Sequence, residues 1–488
     1  MAQRPNLLFI FTDQQRADTL GCYGNRLVET PNLDRLASEG VLFENAYVTQ
    51  PVCTPSRSSI MTGLYPHTTG CIDNNVPLPP DTPTIAEMVP GEYVCGYVGK
   101  WHLGDEIIPQ HGFQEWISIE DYYRAHYSRP EYRSLFSSYH HFLADQGLEP
   151  DLQEHGARVF GRVRTAQLPE KLTKARFVGR EAARLIREHR DHPFVLYVNF
   201  LEPHRPYYGP CDDLYPPEAV PVGPHFRQRP GPNAARINRM LAEHYMRGGH
   251  IDGQDLTTEA GCRKTRAKYL GNVTLVDRAV GDILQALEEE GLSHDTIVVY
   301  TSDHGDMMGD HGIFEKCCQY EEAVRVPLIV RVPWLVAGGR RIGGYISQID
   351  LVPTLLDLLG QPLPPHLHGV SRLSLLQGQA GLHTRCADDV FIEWNGSEWR
   401  PPRAFPNGIP AAEWQAVRGP WRTIVTADGW KLSLSPIDQG ELYDLHNDPY
   451  EETNLFDDPQ QRRRIRQLEA RIRGWQAQTA DPLSLPEA

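Results

Sequence analysis

Short apolar runs of strand length alternate with amphipathic stretches along most of the chain. The runs at 6–12, 94–99, 194–200, 296–301 and 327–332 are nearly continuous in apolar residues, as strands buried on both faces are. Between them, 32–38, 172–188 and 273–289 repeat apolar residues at helical spacing and predict covering helices. Alternation of this kind predicts an α/β protein with a large, mainly parallel, doubly wound sheet flanked by helices.

Two segments break the rhythm. Residues 105–168 are rich in Tyr, His and Arg, and residues 207–233 in Pro, so both read as long excursions over one rim of the sheet. After Gly369 the character changes. Residues 389–394, 421–427 and 430–434 read as short antiparallel strands, followed by a closing helix near 458–479. The expected organisation is a large domain over 1–384 and a smaller α+β domain over 385–488, with an antiparallel sheet.

The 488 residues are 40% hydrophobic and 23% charged, the balance of a globular chain with an ample core. A formal charge of −15 disfavours nucleic acid as a partner, because sequence-independent binding needs an excess of basic residues. No apolar run approaches the ~20 residues of a membrane span. The N-terminus enters a strand without a secretory h-region, which places the expected location in the cytoplasm. Nine scattered cysteines, an odd number with no C-x-x-C, indicate neither a disulfide framework nor a thiolate zinc site.

In an open parallel sheet, ligands bind beyond the carboxyl ends of the strands. The residues after four predicted strands there are Asp13-Gln14, Lys100-Trp101-His102, Glu202-Pro203-His204 and Asp303-His304-Gly305. Asp13, Gln14, Asp303 and His304 form a donor set suited to Ca²⁺, with Mg²⁺ or Mn²⁺ as alternatives. Lys100 and Lys316 would leave positive charge where a tetrahedral oxyanion could sit. The plainer reading makes the aspartates helix caps and the lysines solvated. Asp310-His311 reads as loop rather than as a second metal site.

The segment from Val52 to Gly63 has a cap candidate in Thr54, a first-turn Pro55 and a terminating Gly63. That places Cys53 just before a helix N-terminus, where free N–H groups favour an anion. A buried structural cysteine would have the same local pattern.

Cys53-Thr54-Pro55-Ser56-Arg57 matches the C-x-P-S-R signature of type I sulfatases, and the chain resembles that family over most of its length. Further matches are Thr30-Pro31-Asn32-Leu33-Asp34, Gly99-Lys100-Trp101-His102-Leu103-Gly104, Ser302-Asp303-His304-Gly305 and Glu441-Leu442-Tyr443-Asp444-Leu445. The resemblance implies an alkaline-phosphatase-like sandwich with a small C-terminal sheet domain. It implies that a formylglycine-generating enzyme converts Cys53 to an aldehyde whose hydrate attacks sulfur and later expels sulfate. Asp13, Gln14, Asp303, His304 and position 53 match metal positions, and Arg57 the residue that steadies the diol. Lys100 and Lys316 match cations on the sulfate, His102 and His204 match proton-transfer groups, and Asn74 is a looser oxyanion contact.

Gln14 and His304 depart from the commoner Asp and Asn, and in this resemble choline sulfatases and phosphonate monoester hydrolases. Lys100-Trp101-His102 matches the sulfatase pattern instead. The expected reaction is hydrolysis of a small anionic sulfate monoester. The alternatives are a phosphonate monoester or phosphodiester hydrolase on the same site, and a non-catalytic anion-binding protein with Cys53 left as a thiol. The alcohol is open, with Tyr122, Tyr123, Tyr127, His140, His141 and Tyr207 as candidate pocket residues. Oligomeric state is open too, a homo-oligomer included.

Overall fold

The computed structural model describes residues 4–335, 338–378, 389–396, 415–416 and 418–487. Its strands in the main sheet are β1 (Asn6–Asp13), β2 (Val41–Tyr47), β3 (Val94–Gly99), β4 (Glu115–Ser118), β7 (Phe194–Pro203), β10 (Thr296–Ser302), β11 (Arg325–Arg331) and β12 (Arg340–Ser347). Two small hairpins, β5 (Leu152–Glu154) with β6 (Ala157–Val159) and β8 (His250–Ile251) with β9 (Gln254–Asp255), lie outside it. The eight strands run in the order β12-β2-β11-β10-β1-β7-β3-β4. Only β11 opposes its neighbours, pairing antiparallel with both β10 and β2, so the strand expected over 327–332 is present but reversed.

Alternation along β1 shows why the sheet is sandwiched. Leu8 and Ile10 enter one apolar layer, with helices Lys174–Glu188 and Glu259–Glu289. Leu7, Phe9 and Phe11 enter the opposite layer, with Ile60, Met61, Val352 and Leu355. All five β1 side chains are fully buried, each contributing roughly 1.5–3 kcal/mol by leaving water.

The three predicted helices are present, but the third begins at Glu259 and runs 31 residues. Lys264, Arg266 and Asn272 dilute the apolar stripe of its first half, which hid it. Strands β2, β4 and β12 were not expected. β12 is an edge strand of alternating exposure, Arg-Arg-Ile-Gly-Gly-Tyr-Ile-Ser, with no apolar run to mark it.

A separate sheet orders β13 (Val390–Trp394), β14 (Trp421–Val425), β15 (Trp430–Leu434) and β16 (Glu441–Asp444), antiparallel throughout. Helix Arg462–Thr479 covers it through Ile465, Leu468, Ile472 and Trp475. The expected division between 384 and 385 lies outside the described residues. Among the described residues no helix is long and apolar enough to cross a membrane.

Candidate active site

Strands β10, β1, β7 and β3 are consecutive in the sheet, so the four polar strand ends picked out above lie side by side at one edge. Asp13, Gln14, Lys100, Asp303 and His304 have no solvent exposure. One ligand atom each from Asp13, Cys53, Asp303 and His304 lies within 4.8 Å of the others.

Helix Cys53–Thr62 delivers the cysteine. Its first helical residue is Cys53, two positions earlier than expected, and its cap position is Val52 rather than Thr54. Asn74 Oδ1 instead accepts from the Thr54 backbone N–H at 3.1 Å, while the Thr54 hydroxyl donates to the His102 carbonyl at 2.8 Å. Gly63 ends the helix at φ +71 as expected. Cys53 Sγ stands 3.3 Å from His304 Nε2 and 3.8 Å from Asp13 Oδ1. Burial and Asp13 push its thiol up, but Lys100, Lys316 and His304 outweigh them and the net direction is down.

Arg57, one turn along the same helix, binds both carboxylates. Nε donates to Asp303 Oδ2 at 3.0 Å and Nη2 to Asp13 Oδ2 at 2.9 Å. Nη1 donates to the Lys100 carbonyl at 2.6 Å and to Asn199 Oδ1 at 2.9 Å. These four hydrogen bonds serve the expected metal ligands and their neighbours rather than position 53. Burial disfavours an ionised Asp13, yet Lys100, His204, Arg57 and His304 hold its carboxyl well below the usual range.

The imidazoles are polarised by backbone acceptors. His304 Nδ1 donates to the Gly305 carbonyl at 2.9 Å, which turns Nε2 toward Cys53; burial disfavours the charged ring, but Asp303 and Cys53 raise its pKa. His204 Nδ1 likewise donates to the Arg205 carbonyl at 2.7 Å. Burial first, then Lys316, lowers the His204 pKa well below its ordinary value. His102 is lowered by burial and Lys100 in the same way. His102 stacks on Tyr123 at 4.0 Å between ring centroids.

Lys100 Nζ donates to Asp13 Oδ2 and Lys316 Nζ to Gln14 Oε1. Lys316 also lines a cleft of about 800 Å³ with Asn74, Asn75, His126, Glu315 and Arg418. Of the aromatic and histidine residues expected to shape the pocket, Tyr123 packs on His102, Tyr207 lies behind Gln14, and Tyr122 is 52% exposed. Tyr127, His140 and His141 are not among the cleft's lining residues. Sequence reasoning missed Asn199, which orients Arg57, and Asp306, two residues after His304. A signal existed only for Asp306, through its proximity to the metal motif.

A second cleft of about 780 Å³ is lined by Arg16, Asp18, His225, Arg266, Glu322 and Arg325 among others. His225 Nε2 sits 2.9 Å from Glu322 Oε1 and 3.6 Å from Asp310 Oδ2. Asp310 in turn meets Arg16 at 2.7 Å and Arg266 at 3.2 Å. This is an ion-pair cluster that fastens the 207–233 excursion to helix Glu321–Val324.

A buried set of two carboxylates, an amide and an imidazole, flanked by lysines at the carboxyl edge of a parallel sheet, defines a hydrolase of anionic esters. Residues 5–361 match the sulfatase family model, and the chain belongs to the sulfatase family; it is a sulfuric ester hydrolase. It is 30% identical over 468 residues to an uncharacterised sulfatase, YidJ, of Escherichia coli, covering 93% of this chain and 84% of that one. Choline-sulfatase of Rhizobium meliloti is 27% identical, with 93% and 83% covered. The crystal structure of a phosphonate monoester hydrolase of Agrobacterium radiobacter superposes with a TM-score of 0.77 at 25% identity, covering 98% and 96%.

Proposed function

We propose that the protein hydrolyses sulfate monoesters to an alcohol and inorganic sulfate, using a formylglycine made from Cys53 and one divalent cation, Ca²⁺ first. The observation that carries this reading is the position of Cys53: in the first turn of its helix, buried, within reach of His304 Nε2 and Asp13, between two lysines. The donor set suits the cation, since the oxygens are hard ligands and His304 turns Nε2 toward Cys53. When present, the hydrated formylglycine supplies the nucleophile and the cation neutralises the charge gathered around it.

The remaining work falls to the chain's own residues. Lys100 and Lys316 flank the space where sulfate oxygens would sit and stabilise charge spreading onto them. Arg57 orients Asp13 and Asp303 through one hydrogen bond to each. A neutral His204 or His102 accepts a proton from the nucleophile and hands it to the leaving oxygen. Asn74 uses its carbonyl at the helix start, which leaves its amide group as the oxyanion donor. We place the catalytic unit at 1–384 and the smaller unit at 385–488, supported by the apolar cluster between the four-stranded sheet and helix Arg462–Thr479, which Tyr65 and Ile349 of the larger unit join.

A second reading, phosphonate monoester or phosphodiester hydrolysis, draws support from Gln14, His304 and the likeness to the Agrobacterium enzyme. The test is kcat/KM on p-nitrophenyl sulfate against a phenyl phosphonate monoester, with protein whose Cys53 peptide has the mass of the aldehyde. Preference for sulfate is expected; preference for the phosphonate overturns the first reading. Cys53→Ala should abolish both turnovers in a folded protein, whereas a merely anion-binding protein would be unaffected.

A further inference from the structure

Gln14 occupies a position where a carboxylate would bring its own charge and would bind a cation through either oxygen. A carboxamide does neither, because only its oxygen can ligate, and a half-turn about the last torsion presents an NH₂ group instead. Something must decide which end faces the cluster.

Behind Gln14 lies Asp306, fully buried. Its Oδ1 accepts from the backbone N–H groups of Met308 at 2.8 Å and Glu315 at 3.0 Å, which locks the carboxylate plane. Its Oδ2 accepts from Gln14 Nε2 and, at 2.7 Å, from the Tyr207 hydroxyl. Tyr207 Oη itself accepts from Gln14 Nε2 at 3.0 Å. A carboxylate offers only acceptors, so the Gln14 atom turned toward it must be the nitrogen. The oxygen then faces Lys316, whose ammonium lies close enough to Cys53 to lower its thiol pKa. The same Oδ1 anchors Glu315, the residue before Lys316, so one side chain orients groups on two sides of the site.

We propose that Asp306 is a positioning residue that fixes the polarity of the Gln14 carboxamide, holding Oε1 toward the cation site. It keeps outside the ligand shell the negative charge that Gln14 lacks within it. The proposal rests on the reading that Asp13, Gln14, Asp303 and His304 hold a divalent cation. Asp306→Asn is nearly isosteric yet cannot do the same work. With its oxygen on the Met308 and Glu315 amides, its NH₂ meets Gln14 and turns the Gln14 NH₂ into the cation site. In the other rotamer its NH₂ meets two backbone donors.

The test is isothermal titration calorimetry of the full-length protein with Ca²⁺, repeated with Mg²⁺ and Mn²⁺, after circular dichroism matched to wild type. Asp306→Asn should weaken binding by about 10- to 100-fold. Gln14→Glu alone should bind no more tightly than wild type, because its second oxygen would face Asp306 Oδ2, acceptor against acceptor, and nothing would hold the first oxygen in place. The double variant Q14E/D306N moves the carboxylate inward and lets the carboxamide introduced behind it donate to it. It should return to within about threefold of wild type.

Binding by Asp306→Asn within about twofold of wild type overturns the proposal, as does a double variant as weak as Asp306→Asn. Should Asp306→Asn not fold, Gln14→Glu decides alone, since a clear gain in affinity would mean that Asp306 exerts no hold on position 14. Failure of wild type to bind any of the three ions overturns the cation reading itself, a result distinct from loss in the variants alone.

Discussion

Arg57 bridges two carboxylates that would otherwise repel each other in a site sealed from water. Its planar fork reaches Asp303 through Nε and Asp13 through Nη2 at once, a span that a single ammonium cannot cover. Arg57→Lys should therefore lower kcat/KM by about 100-fold or more and destabilise the fold by about 3 kcal/mol, the scale of a broken buried pair. Steady-state kinetics with the Cys53 peptide verified by mass, and a urea midpoint at unchanged m-value, check the two halves. The residues proposed to carry the chemistry were legible because each follows an apolar strand: Asp13, Lys100, His204 and Asp303 mark themselves by position. Asn199 did not, because it is the sixth residue of an apolar run and resembles a flaw in a strand. Thr54 misled for a different reason. A threonine before a proline is a good cap in isolation, and only tertiary contact reveals that Asn74, 20 residues away, satisfies that N–H.

Elements position these groups through close backbone approach. Gly99 ends β3 at φ +127, and a Cβ there would stand 1.9 Å from the Asn199 carbonyl oxygen. Gly99→Ala should force β3 from β7, shift Lys100 and cost about 3 kcal/mol or more. An equally stable variant with normal turnover would show that the strand end has more room than its geometry implies.

The 207–233 excursion is held by an antiparallel bridge between Phe226 and Asp310 and by the charges beside it. Burial alone would lower the His225 pKa, but Asp310 and Glu322 raise it to about 9. A group whose folded pKa lies above its unfolded value of ~6.5 binds more protons when folded. Its contribution is thus fully present below about pH 6.5 and is lost as pH rises through about 9. Melting temperatures across that window should fall more steeply for wild type than for His225→Gln; identical slopes would remove the cluster's role. Such an excursion was visible as a composition shift, but its fastening was not, since Asp310 and Glu322 are 85 and 97 residues from His225.

The whole molecule couples the small sheet to the catalytic edge. Asp438 accepts from the backbone N–H groups of Arg236 at 3.0 Å and Ile237 at 3.2 Å, closing the start of helix Arg236–Gly248 from across the chain. Glu441 adds a bond from the Ala235 N–H at 2.8 Å. From the other end of that helix the Tyr245 hydroxyl donates to Glu315 at 3.0 Å, next to Lys316. Asp438→Ala should cost about 1 kcal/mol, the usual worth of a helix cap, read as a lower urea midpoint with m unchanged. The sheet order could not be read from the sequence. Alternation gave the class, whereas the reversal of β11 and the edge position of β12 depend on which strands meet, and pairing partners up to 300 residues apart, as Ser347 and Tyr47 are, leave no local mark.

The burial of Cys53 sets a clock. Only 1% of the residue reaches solvent, and the ring packed against its sulfur, His304, is added 251 residues later in synthesis. On the proposed route an enzyme must reach that thiol, and a folded product offers no access. At ~5–20 residues per second the ribosome leaves an interval of ~10–50 s between the two. Maturation on that route would be a race against folding, to be won while residues 53–57 are still outside their helix. Slower closure of the sheet would favour the enzyme, and protein that folds first would remain permanently a thiol.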